Sequence, residues 1–318
     1  MRILIVGAAG AERTEASLTR AARRLGHEAR VLDALGWRRR LGGAGGVVLR
    51  WQADRFAPDL VLCTRHAASA DERTLRHLVR GRPSAFWYFD ALRPLPDRVV
   101  TLARGVDAVY ATYGYQVEAF EALRLRARFL PQGADPELDI PADAAPAAYH
   151  CDLAFVGSGH FPRRHAVLAE LARHFALQVR GPGWEGHPGP FPVAGGSVRA
   201  AEFARVTRGA RLMLGIDALE EQRGEARGGT SNRLWRVLAA GGCYLGEYVD
   251  NVEEFARHGV HALWYRHPAD AVELARGALA DAALRARLAT AGRAHVLAKH
   301  TYAHRLQSLL AGQGYTST

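Results

Sequence analysis

The sequence predicts an α/β protein of two doubly wound, Rossmann-like parallel-sheet domains in tandem. Three observations carry that prediction. Short apolar runs without polar alternation recur between amphipathic helical stretches, the pattern of βαβ units around a sheet buried on both faces. The alternation is interrupted once, by a proline-rich, acidic segment at residues 134–148. The chain has 318 residues, 48% hydrophobic and 23% charged, enough for two separate cores.

In order, strands are expected at 2–6, 28–32, 60–63, 84–89, 108–111 and 128–130, with helical periodicity at 15–25 and 115–125. Residues 134–148 hold three prolines and no periodic apolar face, and read as a linker. The pattern restarts with strands at 152–156, 177–180, 211–216, 244–246 and 262–265. Helices are expected at 163–175, 198–209, 232–240, 252–258, 268–279, 281–298 and 302–310, and a Gly/Pro-rich loop at 181–196. Residues 1–140 and 149–299 are the expected domains, with a final helical segment, 300–318, returning to the first. Ligands of such folds gather at the carboxyl ends of the strands, and two domains facing each other leave a cleft.

Composition narrows the class. Cys63, Cys151 and Cys243 are far apart and form no CxxC, so neither a disulfide framework nor a zinc knuckle is expected. A reducing cytoplasm fits best. No apolar run is long enough to span a membrane, and residues 1–7 read as a first strand rather than a leader. The net charge of +10 is almost entirely arginine, Lys299 being the only lysine. It is spread over both halves, so it predicts general attraction to polyanions and no dedicated nucleic-acid arm.

Four motifs carry candidate chemistry. Gly7-Ala-Ala-Gly10, with Asp33 ending the second strand, imitates a dinucleotide turn. Glu12 and Arg13 stand where the third glycine belongs. A tight turn and a glycine loop open to a ligand both remain. The second motif, Phe155-Val-Gly157-Ser158-Gly159-His-Phe-Pro162-Arg163-Arg164, places two arginines in the first turn of a helix. Cations there oppose the helix dipole, and an anion at the exposed amides resolves the conflict. The third, Gly228-Gly229-Thr230-Ser231-Asn232-Arg233, combines an N-cap hydroxyl with glycines and an arginine. Each also reads as an ordinary capped helix start. Two in one domain favour a diphosphate. The fourth is Asp90, directly after four aromatics (residues 86–89), where desolvation would raise its pKa toward that of a general base. His66 stands at the matching end of the neighbouring strand. A structural Asp and a surface His are the competing readings. No HExxH, P-loop or GxSxG occurs, so no metal and no hydrolase elbow is implied.

The second half resembles GT-B glycosyltransferases, in particular the CgeB-like group with a family-4-type C-terminal domain. The residues that carry it are Phe155–Gly157 with Arg163 and Arg164, Val179-Arg-Gly181-Pro-Gly183-Trp184, and Ser231-Asn232-Arg233 continuing to Gly241-Gly242. Val252-Glu-Glu254 and His300-Thr-Tyr302 complete the set. The resemblance implies an acceptor-side first domain, with Gly7 and Gly10 in its loop, and a nucleotide-sugar donor domain. It implies no obligatory metal or cofactor. Gly157, Ser158, Gly159, Arg163 and Arg164 would hold phosphate, Thr230, Ser231, Asn232 and Arg233 the diphosphate. Gly183 and Trp184 would lie near base or ribose, and Glu254 matches a later family position. One departure stands out. The family's ribose-binding glutamate corresponds to Arg236, and the one eight residues earlier to Gly228.

The expected function is therefore metal-independent sugar transfer from a nucleoside diphosphate sugar, UDP among the candidate bases, to an unidentified acceptor. Asp90 would be the base if configuration inverts, and would position the acceptor if it is retained. Three alternatives stay open: transfer to a modified base in DNA or RNA, non-catalytic nucleotide-sugar binding, and an NAD-dependent enzyme.

Overall fold

The computed structural model describes every residue except Arg93, 187–188, 218–227, Gln313 and 315–318. The chain forms two compact units. One comprises Met1–Pro131 and the last helix, and the other Gln132–Thr301.

In the first unit six parallel strands follow the order β2-β1-β3-β4-β5-β6. They are β1 (Arg2–Gly7), β2 (Glu28–Asp33), β3 (Leu60–Cys63), β4 (Ser84–Tyr88), β5 (Ala108–Ala111) and β6 (Ala127–Phe129). Successive side chains of β1 go to opposite faces, and both faces are apolar. Leu4 and Val6 join Phe86, Tyr88 and Phe120 on one side. Ile3 and Ile5 join Leu18, Trp87 and Tyr110 on the other. This is why the strands read as continuous apolar runs. The helices are α1 (Thr14–Arg24), α2 (Ala34–Leu41), α3 (Gly45–Phe56), α4 (Glu72–Val79), α5 (Asp97–Arg104) and α6 (Gly114–Ala122). The last helix, Tyr302–Leu310, lays Tyr302, Leu306 and Leu309 on the second face. Arg305 Nε donates to the Pro131 carbonyl at 3.0 Å.

The second unit repeats the plan in the order β12-β11-β10-β7-β8-β9, again all parallel. Its strands are β7 (Cys151–Val156), β8 (Leu177–Arg180), β9 (Val193–Gly195), β10 (Ala210–Gly215), β11 (Tyr244–Glu247) and β12 (Leu263–Tyr265). Its helices are α7 (Pro162–Ala172), α8 (Ala200–Gly209), α9 (Asn232–Ala239), α10 (Pro268–Ala280) and α11 (Ala282–Lys299). Each sheet with its flanking helices is a Rossmann-like fold.

Helices α2 to α5 of the first unit had no counterpart in the expectation, and three features of the second unit differ from it. Residues 252–258 form only a short 3-10 turn, Val252–Glu254. His261 Nδ1 accepts from the Arg257 amide and His258 Nδ1 from the Trp264 amide, which draws the backbone out of a helix. Strand β9 lies inside the Gly/Pro-rich loop and escaped detection because it is a short sheet-edge strand whose residues are exposed or half-buried. The segment read as a linker is partly built into the second unit. Asp135 and Asp139 are buried, and Asp139 accepts from the Asp135 amide at 2.9 Å.

Candidate active site

The second unit gathers its site at the carboxyl ends of β7, β10 and β11. Arg233, in the first turn of α9, reaches back to β7. Its Nε donates to the Val156 carbonyl at 2.7 Å, and its guanidinium lies 4.6 Å from the Phe155 ring centroid. A side chain at Gly157 would collide with it, so this glycine is required for the approach of Arg233. Gly181, at φ +136°, likewise sits against the Gly157 carbonyl where no Cβ fits. Ser231 caps α9, its Oγ accepting from the Arg233 amide at 3.2 Å. Thr230 is buried beside it, and Asn232 opens the helix half-buried.

The two arginines of α7 have different tasks. Arg164 donates to the Ser158 carbonyl at 2.8 Å and lies over the rings of Phe161 and Phe155. It shapes the turn in which Ser158 Oγ accepts from the His160 amide and the Gly159 carbonyl accepts from His165. Arg163 forms a two-pronged pair with Glu247, the last residue of β11, one bond measuring 2.5 Å. Asp217, just past β10, donates its amide to the same carboxylate at 3.4 Å. Three guanidiniums (Arg163, Arg164, Arg233) thus share one end of the sheet with two buried carboxylates. Sequence reasoning named the arginines and missed the acids. The signal was available, since Glu247 and Asp217 each follow an apolar strand as Asp90 does.

Burial pushes the Asp217 carboxyl up to about 6, and the neighbouring Glu247 charge adds to this, against the pull of Arg233, Arg164 and Arg163. The usual value is 3.8. A carboxyl raised in the folded state contributes stability that is full below about pH 4 and is lost as pH climbs through about 6. Asp217→Asn therefore becomes more stable relative to the parent chain between pH 5 and pH 7. Urea midpoints of both chains at those two pH values check this. An unchanged difference would exclude the linkage.

The structure places the remaining sequence-named residues as follows. Trp184 is a core residue, 2% exposed. Its Nε1 donates to the Gly157 carbonyl at 2.8 Å, and its ring packs on Phe155, Phe191 and His165, so no face is open to stack on a base. Gly183, at φ +80°, turns the chain against the His160 ring. Arg236, standing at the expected ribose-clamp position, pairs with Asp139 at 2.9 Å and covers Phe203. Its charge belongs to the internal structure of the unit. Glu254 is half-buried at the end of the 3-10 turn.

The glycine loop of the first unit is closed by the chain's own side chains. The Ala8 amide donates to Glu15 and the Ala9 amide to Asp33, at 3.1 and 3.0 Å. Asp33 also caps α2 through the Gly36 amide. The space over Gly7 is filled by Thr64 and Glu15, and Gly10, at φ +153°, faces the Arg13 side chain. The loop's own carboxylates occupy the amides that a dinucleotide phosphate would need, and Asp33 is not presented to a ribose. This speaks against the NAD reading.

Asp90 and His66 do come together. Arg65 bridges them, with Nη1 2.6 Å from Asp90 Oδ2 and Nη2 donating to His66 Nε2 at 3.2 Å. Arg13 donates to the same nitrogen at 3.3 Å. Two guanidiniums can only donate, so His66 Nε2 is an acceptor and the ring is neutral. Burial and Arg65 both hold its pKa below the usual value. Asp90 is raised by burial, against the attraction of Arg65. Buried Gln116 of α6 fixes the loop by donating to the Asp90 carbonyl. Among the described residues no cluster of His, Cys, Asp or Glu has the form of a metal site, and no helix is long and apolar enough to cross a membrane.

Comparison with known proteins bears on the fold. Residues 163–311 match the glycosyl transferase-like family. A comparison with curated proteins finds no significant match. Among solved structures, HepE of Anabaena in complex with UDP and glucose superposes with a TM-score of 0.64 at 14% identity, over 98% of this chain and 99% of that one. Sucrose-phosphate synthase of Thermosynechococcus elongatus gives 0.66 at 12%, over 98% of both chains. A glycosyltransferase of Rickettsia africae gives 0.66 at 11%, over 98% and 97%. At these identities the likeness establishes the fold. The fold is that of GT-B glycosyltransferases, and the glycosyl transferase-like match covers residues 163–311.

Proposed function

We propose that the chain transfers a sugar from a UDP-sugar to an acceptor hydroxyl, without a metal, in the cytoplasm, as a CgeB-like enzyme with a family-4-type donor domain. The observation that carries the donor side is the convergence of Arg163 and Arg233 with the capped N-terminus of α9 at the carboxyl ends of β7, β10 and β11. Fixed cations and helix amides there oppose the charge that develops on a leaving diphosphate, the task a metal performs elsewhere. UDP and glucose are held by HepE, and UDP-glucose by the same protein in another structure, which favours uridine as the base. On the acceptor side, in an inverting transfer Asp90 takes the proton of the acceptor hydroxyl as its oxygen bonds to the anomeric carbon and the nucleoside diphosphate leaves with the bonding pair; in a retaining transfer Asp90 positions the acceptor.

Thermal unfolding with UDP, GDP, ADP, CMP, dTDP and NAD tests the reading. UDP at about 100 times its Kd adds roughly 2.7 kcal/mol of stability, a readily seen shift. Stabilisation by NAD alone, or by none of the six, overturns it.

A further inference from the structure

The first unit carries a cavity of about 670 Å³ between α5 and α6, a size suited to a small molecule. Its walls are largely apolar: Leu92, Leu95, Val100, Leu123 and the ring of Tyr115. Leu92 and Leu123 are 41% and 40% exposed, so the cavity opens to solvent and is not filled by the unit's own core. Its shape is set by α5. Asp97, Val100, Thr101 and Arg104 lie on one face of that helix, so the trough runs along about 10 Å of it. Thr101 and Arg104 also line a separate cavity of about 370 Å³, whose walls include Leu75, Val79 and Val106 with Glu72 and Arg76. At the α6 side stands Gln116, the residue that holds the Asp90 loop.

We infer that this trough seats the apolar chain of an amphiphilic acceptor, whose hydroxyl-bearing head lies at the Gln116–Asp90 side. A largely apolar trough that runs about 10 Å along α5 fits a hydrocarbon chain better than a sugar. A sugar ring would leave its hydroxyls facing leucine and valine, at the cost of unpaired polar groups. Water leaving the exposed leucines supplies the affinity. The role as acceptor site rests on the transferase reading; the binding experiment does not.

The test titrates n-alkyl β-glucosides of one, six and eight carbons, below their micelle concentrations, into the full chain by calorimetry. Affinity is expected to rise about two- to fourfold per added methylene. Ala119→Trp and Ala122→Trp fill the trough from α6 and are expected to weaken octyl glucoside at least tenfold, with the UDP-induced thermal shift unchanged. Thr101→Trp fills it from exposed α5 and serves if either α6 variant fails to fold. Equal binding of methyl and octyl glucoside, or octyl binding that survives the fillings, overturns the proposal. Loss of the UDP shift in the parent chain would instead sink the donor reading and leave this titration intact.

Discussion

Asp90→Asn lowers the kcat of sugar transfer by about 10²- to 10⁴-fold, the range that a positioned general base contributes, while the UDP-induced thermal shift is unchanged. The asparagine keeps the shape of the loop, and the Gln116 bond is made to the backbone carbonyl, so it survives the change. What is lost is the basic carboxylate that takes the acceptor's proton. His66 cannot take over, because its Nε2 already receives hydrogen bonds from Arg13 and Arg65. Accordingly His66→Ala lowers kcat by less than about tenfold, a positioning effect rather than the loss of a base. Desolvation raises the Asp90 carboxyl above its usual range, and the Arg65 charge keeps part of that rise in check. A base must be ionised, so kcat falls as pH drops below this raised value. Steady-state rates of both variants across pH 4–8 decide the matter. A near-normal rate for Asp90→Asn would remove it from the base role and leave it positioning the acceptor.

The strand pattern was legible because a parallel sheet buried on both faces writes itself as uninterrupted apolar runs. All eleven expected strands are present, and β3 and β5 carry the expected limits. Helices α2 and α3 were not anticipated, since residues 34–56 mix tryptophan, arginines and glycines with no clean apolar face. The arginines of the second unit were found through a rule with a physical cause, that cations in a first helical turn need an anion. The same rule led to an external phosphate alone, whereas the chain supplies part of the anion itself through Glu247. No local pattern announces that pairing, because Arg163 and Glu247 are 84 residues apart. The same holds for Glu15 and Asp33, which saturate the amides of the Gly7–Gly10 turn. Glycine turns were visible in the sequence. Which carboxylates fold back over them was set by the sheet register, which places Gly7 beside Asp33. Trp184, placed near base or ribose by the resemblance, is buried in the core, and an aromatic beside glycines does not announce in the sequence which face of the loop it will fill.

Glu247→Gln is expected to destabilise the chain by about 2–4 kcal/mol, the cost of leaving a partly buried guanidinium with a weaker, neutral partner. The Glu247 side chain is 1% exposed and that of Arg163 14%, so water compensates little on the carboxylate side. The second half of the prediction separates a structural pair from a donor site. In the parent chain a bound diphosphate must share Arg163 with Glu247. In Glu247→Gln that competitor is neutral, so the phosphates gain the full attraction of the guanidinium. UDP therefore stabilises the variant by more than it stabilises the parent, and recovers part of the loss. Urea unfolding of both chains, with and without UDP, reads the two quantities independently. Equal stability without ligand would show that the pair contributes nothing net to the fold. An equal UDP increment in both chains would place Arg163 outside the donor site, leaving Arg233 and the start of α9 to hold the phosphates.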